Sequence, residues 1–170
     1  MTRFLRYLPA LGLVCLSTLA QADGAFNQTD RRFVTDAANA GVYEVQAAQV
    51  AVKRAQSADV KAFAQMLLSD HEKANVALEK LAASRSMELP RELPHELRGR
   101  VQGLEREQPE KFDREFVQKV GMDDHDKDIR LFENAVAKST DPELKSFAVK
   151  TLPELKQHRQ HAQGLIGKLR

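Results

Sequence analysis

Apolar residues return every three or four positions in four long stretches of this chain, and nowhere after residue 22 do they alternate or gather into β-branched runs. The pattern predicts an all-α protein. A first helix is expected over Thr29 to Ala55, capped by Thr29 or Asp30, with Phe33, Ala37, Ala40, Ala48 and Ala51 on one face. A second is expected over Ala58 to Ala83 behind a Ser57 cap, its inner face built from Val60, Phe63, Ala64, Leu67, Ala74, Leu78 and Leu81. A third starts at Pro109, whose fixed φ suits a first helical turn, and carries Phe116, Val117, Val120, Leu131, Phe132 and Ala135 inward to about Lys138. The fourth opens on Asp141 as cap and Pro142, and continues through Leu144, Ala148, Leu155, Ala162 and Leu165. Pro153 lies inside it and cannot donate to the Val149 carbonyl, so a kink is expected one turn before His158.

Residues 84–108, between the second and third helices, hold Pro90 and Pro94 and then the shorter periodic run Leu93, Leu97, Val101, Leu104. This predicts a crossover with its own small helix, long enough to travel the length of its neighbours. The halves of the chain also repeat. Arg32-Phe33-Val34 returns as Glu115-Phe116-Val117, and Val60-Lys61-Ala62-Phe63-Ala64 returns as Leu144-Lys145-Ser146-Phe147-Ala148. The expected architecture is therefore a four-helix bundle made of two repeated helical hairpins.

Composition changes this picture at the N-terminus. Residues 1–22 carry Arg3 and Arg6, an apolar run from Tyr7 to Leu19 and the small-x-small sequence Ala20-Gln21-Ala22, the pattern of a cleavable export signal. The mature domain is then residues 23–170, and the expected location is the periplasm, with peripheral envelope association left open. A lipoprotein acylated at Cys15 fits poorly, because Val14 precedes the cysteine and both lie inside the apolar run. Cleavage would remove the sole cysteine, and with it any disulfide or thiolate site. It would also remove two of 26 basic residues, leaving them equal to the 24 acidic ones. A near-neutral domain without a basic block or many aromatics has no footprint for nucleic acid or an anionic membrane, and none of its stretches reaches the ~20 apolar residues of a membrane span. Self-association stays open.

Each long helix also carries a titratable residue near its midpoint, on the face that otherwise reads as core: Glu44, His71, the pair His125 and Asp128, and His158. Packed side by side, the helices would bring these groups into one layer, where an unpaired polar group is costly. In the repeat register Glu44 corresponds to Asp128, and His71 and His158 differ by about one further turn. Two readings follow. In one, the residues satisfy one another by hydrogen bonds and fix the register of a non-catalytic bundle. In the other they bind a transition metal: imidazoles with one or two carboxylates suit zinc, iron or copper. The structural network comes first and the metal site is its alternative. A third use of the same groups is pH sensing, since neutral imidazoles in a core destabilise it on charging. His95 reads as a solvated connector residue, His161 as surface, and Asp70 as lying at the edge of its stripe. No paired Ser or Thr nucleophile and no glycine-rich phosphate loop is visible.

The string Phe63-Ala64, Met66, Asp70-His71, Ala74-Asn75 and Leu78, followed by Asp124-His125, Leu131-Phe132, Phe147-Ala148 and Leu152-Pro153-x-Leu155-x-x-His158, resembles the bacterial family called domain of unknown function 4142. The resemblance implies a ferritin-like four-helix bundle, exported and without an established activity, and is compatible with a stress-related role. It does not imply di-iron chemistry. Di-iron bundles use Glu-x-x-His motifs, whereas this chain has Asp70-His71, His125-x-x-Asp128 and Glu154-x-x-x-His158.

Overall fold

The computed structural model describes residues 24–169 and is all-helical; the expected export signal lies outside the described residues. Helix α1 spans Gln28–Arg54, α2 Ala58–Ser84, α3 His95–Arg106, α4 Pro109–Phe116, α5 His125–Lys138 and α6 Pro142–Ile166. Residues Val117–Asp124 join α4 to α5 as a π-helical segment, so a single rod runs from Pro109 to Lys138.

The helix starts show which groups satisfy the free backbone amides. The cap of α1 is Asn27 rather than Thr29 or Asp30, because the Asn27 side chain accepts from the Asp30 amide at 2.8 Å. Ser57 precedes α2, but its hydroxyl makes no capping bond. Instead the Asp113 carboxylate accepts from the Gln56 and Ser57 amides at 3.0 and 2.7 Å, a cap supplied from α4. At α6 the expected cap is present: Asp141 accepts from the Glu143 and Leu144 amides at 3.0 and 2.8 Å. The buried Arg85 guanidinium holds the other oxygen of Asp141 at 2.8 Å, tying the end of α2 to the start of α6. Helix α6 runs unbroken through Pro153, which is exposed, and Val149 is also half-exposed. Water can therefore satisfy the carbonyl that Pro153 leaves free.

Packing runs α1 against α2, α5 and the π segment against α6, α2 against α6, and α1 against α5. Two apolar clusters fill the interior. One joins Tyr43 to Ala55 of α1, Val60 to Leu67 of α2, Phe112 to Val120 of the central rod, and Ala162 and Leu165 of α6. The other joins Phe33 to Ala38, Leu78 and Ala82, Phe132 and Ala135, and Leu144 to Leu155. Edge-to-face rings mark both, Phe63 on Phe116 at 6.2 Å and Phe33 on Phe132 at 5.1 Å. Burying each such ring contributes about 2 kcal/mol beyond leaving it in water.

Chain order through these clusters fixes direction. Helix α2 and the Pro109–Lys138 rod both run from the first cluster to the second, while α1 and α6 run the other way. Two consecutive rods pointing the same way need a connector as long as the bundle, which explains residues 85–108. Its helix α3 lies on α1 and α4, with Val101 and Leu104 buried. Arg54 at the end of α1 donates to the Glu105 and Glu107 carbonyls, capping the carbonyl end of α3, and stacks on Phe112 at 5.3 Å.

Candidate metal centre

Between the two apolar clusters lies a polar waist. Glu44, His71, His125, Asp128 and His158 are all buried there, with His125 fully enclosed and Glu44 2 % exposed. The three histidine rings face one another, with centroids 5.3 to 5.5 Å apart. One nitrogen from each can be chosen so that all three lie within 4.8 Å of one another.

Which nitrogen each ring offers follows from what holds the other. His125 Nδ1 lies 2.9 Å from the Val120 carbonyl, an acceptor only, so Nδ1 carries the proton and Nε2 is bare. His71 Nδ1 lies 3.0 Å from Glu44 Oε2, so its proton sits on Nδ1 when Glu44 is the ionised acceptor, and its Nε2 is buried without a partner. His158 Nε2 lies 3.3 Å from Asp70 Oδ2, and the Lys73 ammonium sits 3.1 Å from the same carboxyl group. Some burial pushes Asp70 up, but the hydrogen bonds from Lys73 and His158 outweigh it and hold the acid ionised. It therefore draws the His158 proton to Nε2 and bares Nδ1. That nitrogen stands 3.3 Å from the equally bare His125 Nε2.

Two lone pairs facing each other at that distance repel unless something positive lies between them. Charging His158 would supply a proton, yet burial keeps its pKa below the ordinary value despite the opposing pull of Asp70. Burial likewise holds His71 well below the imidazole range, helped by the other two rings, and lowers His125 to about 4. A cation shared by three neutral imidazoles removes the conflict. Nitrogens bound to a tetrahedral ion at about 2.0–2.1 Å stand roughly 3.3–3.4 Å apart, against about 2.9 Å for neighbouring ligands in octahedral or square-planar geometry. The His125–His158 separation is 3.3 Å, and one nitrogen from each of the three rings lies within 4.8 Å of the others. Each candidate ligand also has the partner on its far nitrogen that metal-bound histidines usually have: Glu44, the Val120 carbonyl and Asp70.

Glu44 and Asp128 do not join this convergence. Glu44 stands behind it, its Oε1 3.3 Å from His125 Nδ1 and its Oε2 on His71. Burial raises Glu44 well above the carboxylate range, with Asp128 and Asp124 adding to the effect, and burial with Asp124 lifts Asp128 to about 7. His95 is exposed at the start of α3, and His161 is exposed with its ring on Phe63 at 5.1 Å.

Two contributors escaped the sequence reading. Asp70, assigned only to the edge of its stripe, reaches across to α6 and orients His158. The π segment is the other: it ends where His125 begins, and the His125 amide bonds to the Met122 carbonyl while its ring takes the Val120 carbonyl. The signal available for it was Gly121 in mid-helix. A Cβ there would stand 2.7 Å from Ala162 Cβ and 2.9 Å from Phe63 Cε1.

Fold and site together define an all-helical bundle with a buried cluster of imidazoles at its waist, and among the described residues no helix is long and apolar enough to cross a membrane. The chain belongs to the family described as Domain of unknown function (DUF4142), which it matches over residues 15–165. It is similar in fold to the crystal structure of a DUF305 fragment from Deinococcus radiodurans, with a TM-score of 0.75 at 14 % identity, covering 85 % of this chain and 99 % of that one. No curated protein matches it.

Proposed function

We propose that this protein is an exported helical-bundle protein that binds one transition-metal ion, zinc or copper by its donor set, through His71 Nε2, His125 Nε2 and His158 Nδ1. The observation that carries this reading is the convergence of three buried imidazoles, one nitrogen of each within 4.8 Å of the others, with an oxygen of Glu44, Val120 or Asp70 on a ring nitrogen of each. Three neutral nitrogen donors without sulfur favour zinc or copper over magnesium or calcium. The purely structural network leaves His71 Nε2 unsatisfied in the core, at a cost of about 1–3 kcal/mol. The N-terminal signal pattern supports export to the periplasm. The run of the rods, with one long crossover between two parallel neighbours, and the repeat between the halves support a ferritin-like bundle of two hairpins.

Elemental analysis of untagged protein tests the reading, together with melting curves in added zinc, copper or iron. One bound ion and a rise in melting temperature are expected, since an ion at 100 times its dissociation constant adds about 2.7 kcal/mol. Absence of stoichiometric metal together with unchanged melting in all three would overturn it. His71→Ala and His158→Ala should each abolish binding while His95→Ala should not.

A further inference from the structure

The α1–α2 hairpin leaves apolar surface in water on its outer face. Val42 of α1 is 37 % exposed and Val76 of α2 50 % exposed, two of the three large apolar side chains left exposed among the described residues. Beside them runs a groove of about 790 Å³ between α1, α2 and the connector, lined by Val42, Leu78, Met87 and Leu89 among others. Its charged lining residues are Glu79, Glu88 and Arg91, so the groove is net acidic.

The other end of the same face is basic. Helical residues 7, 11 or 18 positions apart point within about 20° of one another. Gln49 and Lys53 therefore share a line with Val42 on α1, and Lys61 shares one with Leu68, Glu72 and Glu79 on α2. Val42 and Glu79 both line the groove, which puts the two lines on one face. Lys53 and Lys61 are exposed at the α1–α2 turn, about 27 Å from Glu79 by the rise of α2. Neither lysine, nor any of Glu72, Glu79 and Glu88, forms an ion pair among the described residues.

We propose that this face is a homodimer interface: two copies meet about a two-fold axis near Gln49 and Leu68, each laying its Lys53 and Lys61 end on the acidic groove of the other. A second copy is the occupant the charges select, because one chain offers both halves of the match and a two-fold axis uses both at once. A different partner would need the groove alone and would leave the lysines unmatched. The ion pairs would set register and orientation, while the valines and the groove lining supply the buried apolar area.

Sedimentation equilibrium in EDTA, across micromolar chain concentrations, tests this apart from any metal. Twice the chain mass is expected, with dissociation as salt rises. Lys53→Glu with Lys61→Glu should weaken association roughly tenfold or more, as should Glu79→Lys with Glu88→Lys, each melting as a folded domain. An equimolar mixture of the two doubly reversed proteins should dimerise again, since in the mixed pair each end meets a groove of opposite charge. Val42→Asp should dissociate the dimer, and Val149→Asp, on α6, should not. A monomeric wild-type protein would overturn the proposal and leave the groove to another partner. Dimers that persist in both reversed proteins would overturn it too, as would reversed proteins that stay monomeric when mixed.

Discussion

His125 donates from ring Nδ1 to the carbonyl of Val120, five residues earlier, at 2.9 Å. The acceptor belongs to the π-helical segment that ends where His125 begins. A local departure from α-helical winding thus fixes the tautomer of the most deeply enclosed imidazole in the waist and leaves its Nε2 bare toward the other two rings. Such departures occur often at functional sites.

The tautomers can be read directly. In metal-free protein near neutral pH, ¹⁵N-detected imidazole spectra should show His71 and His125 protonated at Nδ1 and His158 protonated at Nε2. Finding His125 protonated at Nε2 would remove the convergence of lone pairs and the metal reading with it.

Asp70 holds His158 Nε2, on the far side of the ring from the proposed metal ligand, so under the trihistidine proposal Asp70→Asn should weaken metal affinity by roughly 10–100-fold while keeping one ion per chain. Isothermal calorimetry with zinc measures both quantities. An unchanged affinity would show that the Asp70–His158 contact does not orient the ligand.

Two glycines of the waist should respond in opposite ways to a single methyl group. At Gly121 the methyl meets Ala162 Cβ and the Phe63 ring, both packed in the core, so Gly121→Ala should cost about 1–3 kcal/mol. At Gly41 the obstacle is the end of the Asn75 side chain, which can rotate away, so Gly41→Ala should be far milder and gain from better helix propensity. Urea denaturation of the two variants checks the order; equal losses would contradict it.

Asp141 should contribute to the acid limb of stability. Burial is the largest single influence and pushes it up, but Arg85 and the Leu144 and Glu143 amides together outweigh this and hold its pKa below the ordinary value. A depressed folded-state pKa gives stability that is present above the unfolded value, about 4, and is lost as pH falls through the folded one. Asp141→Ala should therefore cost about 1–2 kcal/mol at neutral pH and show a shallower decline below about pH 4. Parallel decline in the two proteins would exclude the linkage.

The four long stretches and the short connector helix were legible because a core face needs an apolar residue at every turn, and all five waist residues stood out as interruptions of such faces. Tautomers, second partners and the division of labour among those five were not. Asp70 and His71 are adjacent in sequence, yet one helical step of rotation sends His71 to Glu44 and Asp70 to His158. The Asp113 cap on α2 likewise joins residues more than 50 positions apart, beyond the reach of any local signal. The π segment hid because Phe116, Val120, Asp124, Asp128 and Phe132 keep an α-like spacing of four in the sequence while the backbone widens beneath them.

A waist of this kind also has a mechanical meaning. The Phe63, Phe112 and Phe116 cluster and the Phe33 and Phe132 cluster share no ring contact, and what lies between them is a tier of imidazole and carboxyl groups. Without an ion that tier is a weak seam, and amide exchange should resolve two blocks that open with different free energies. A cation gripped by α2, α5 and α6 at once would rivet the blocks together, turning two partly independent half-domains into one cooperative unit whose unfolding waits on release of the ion.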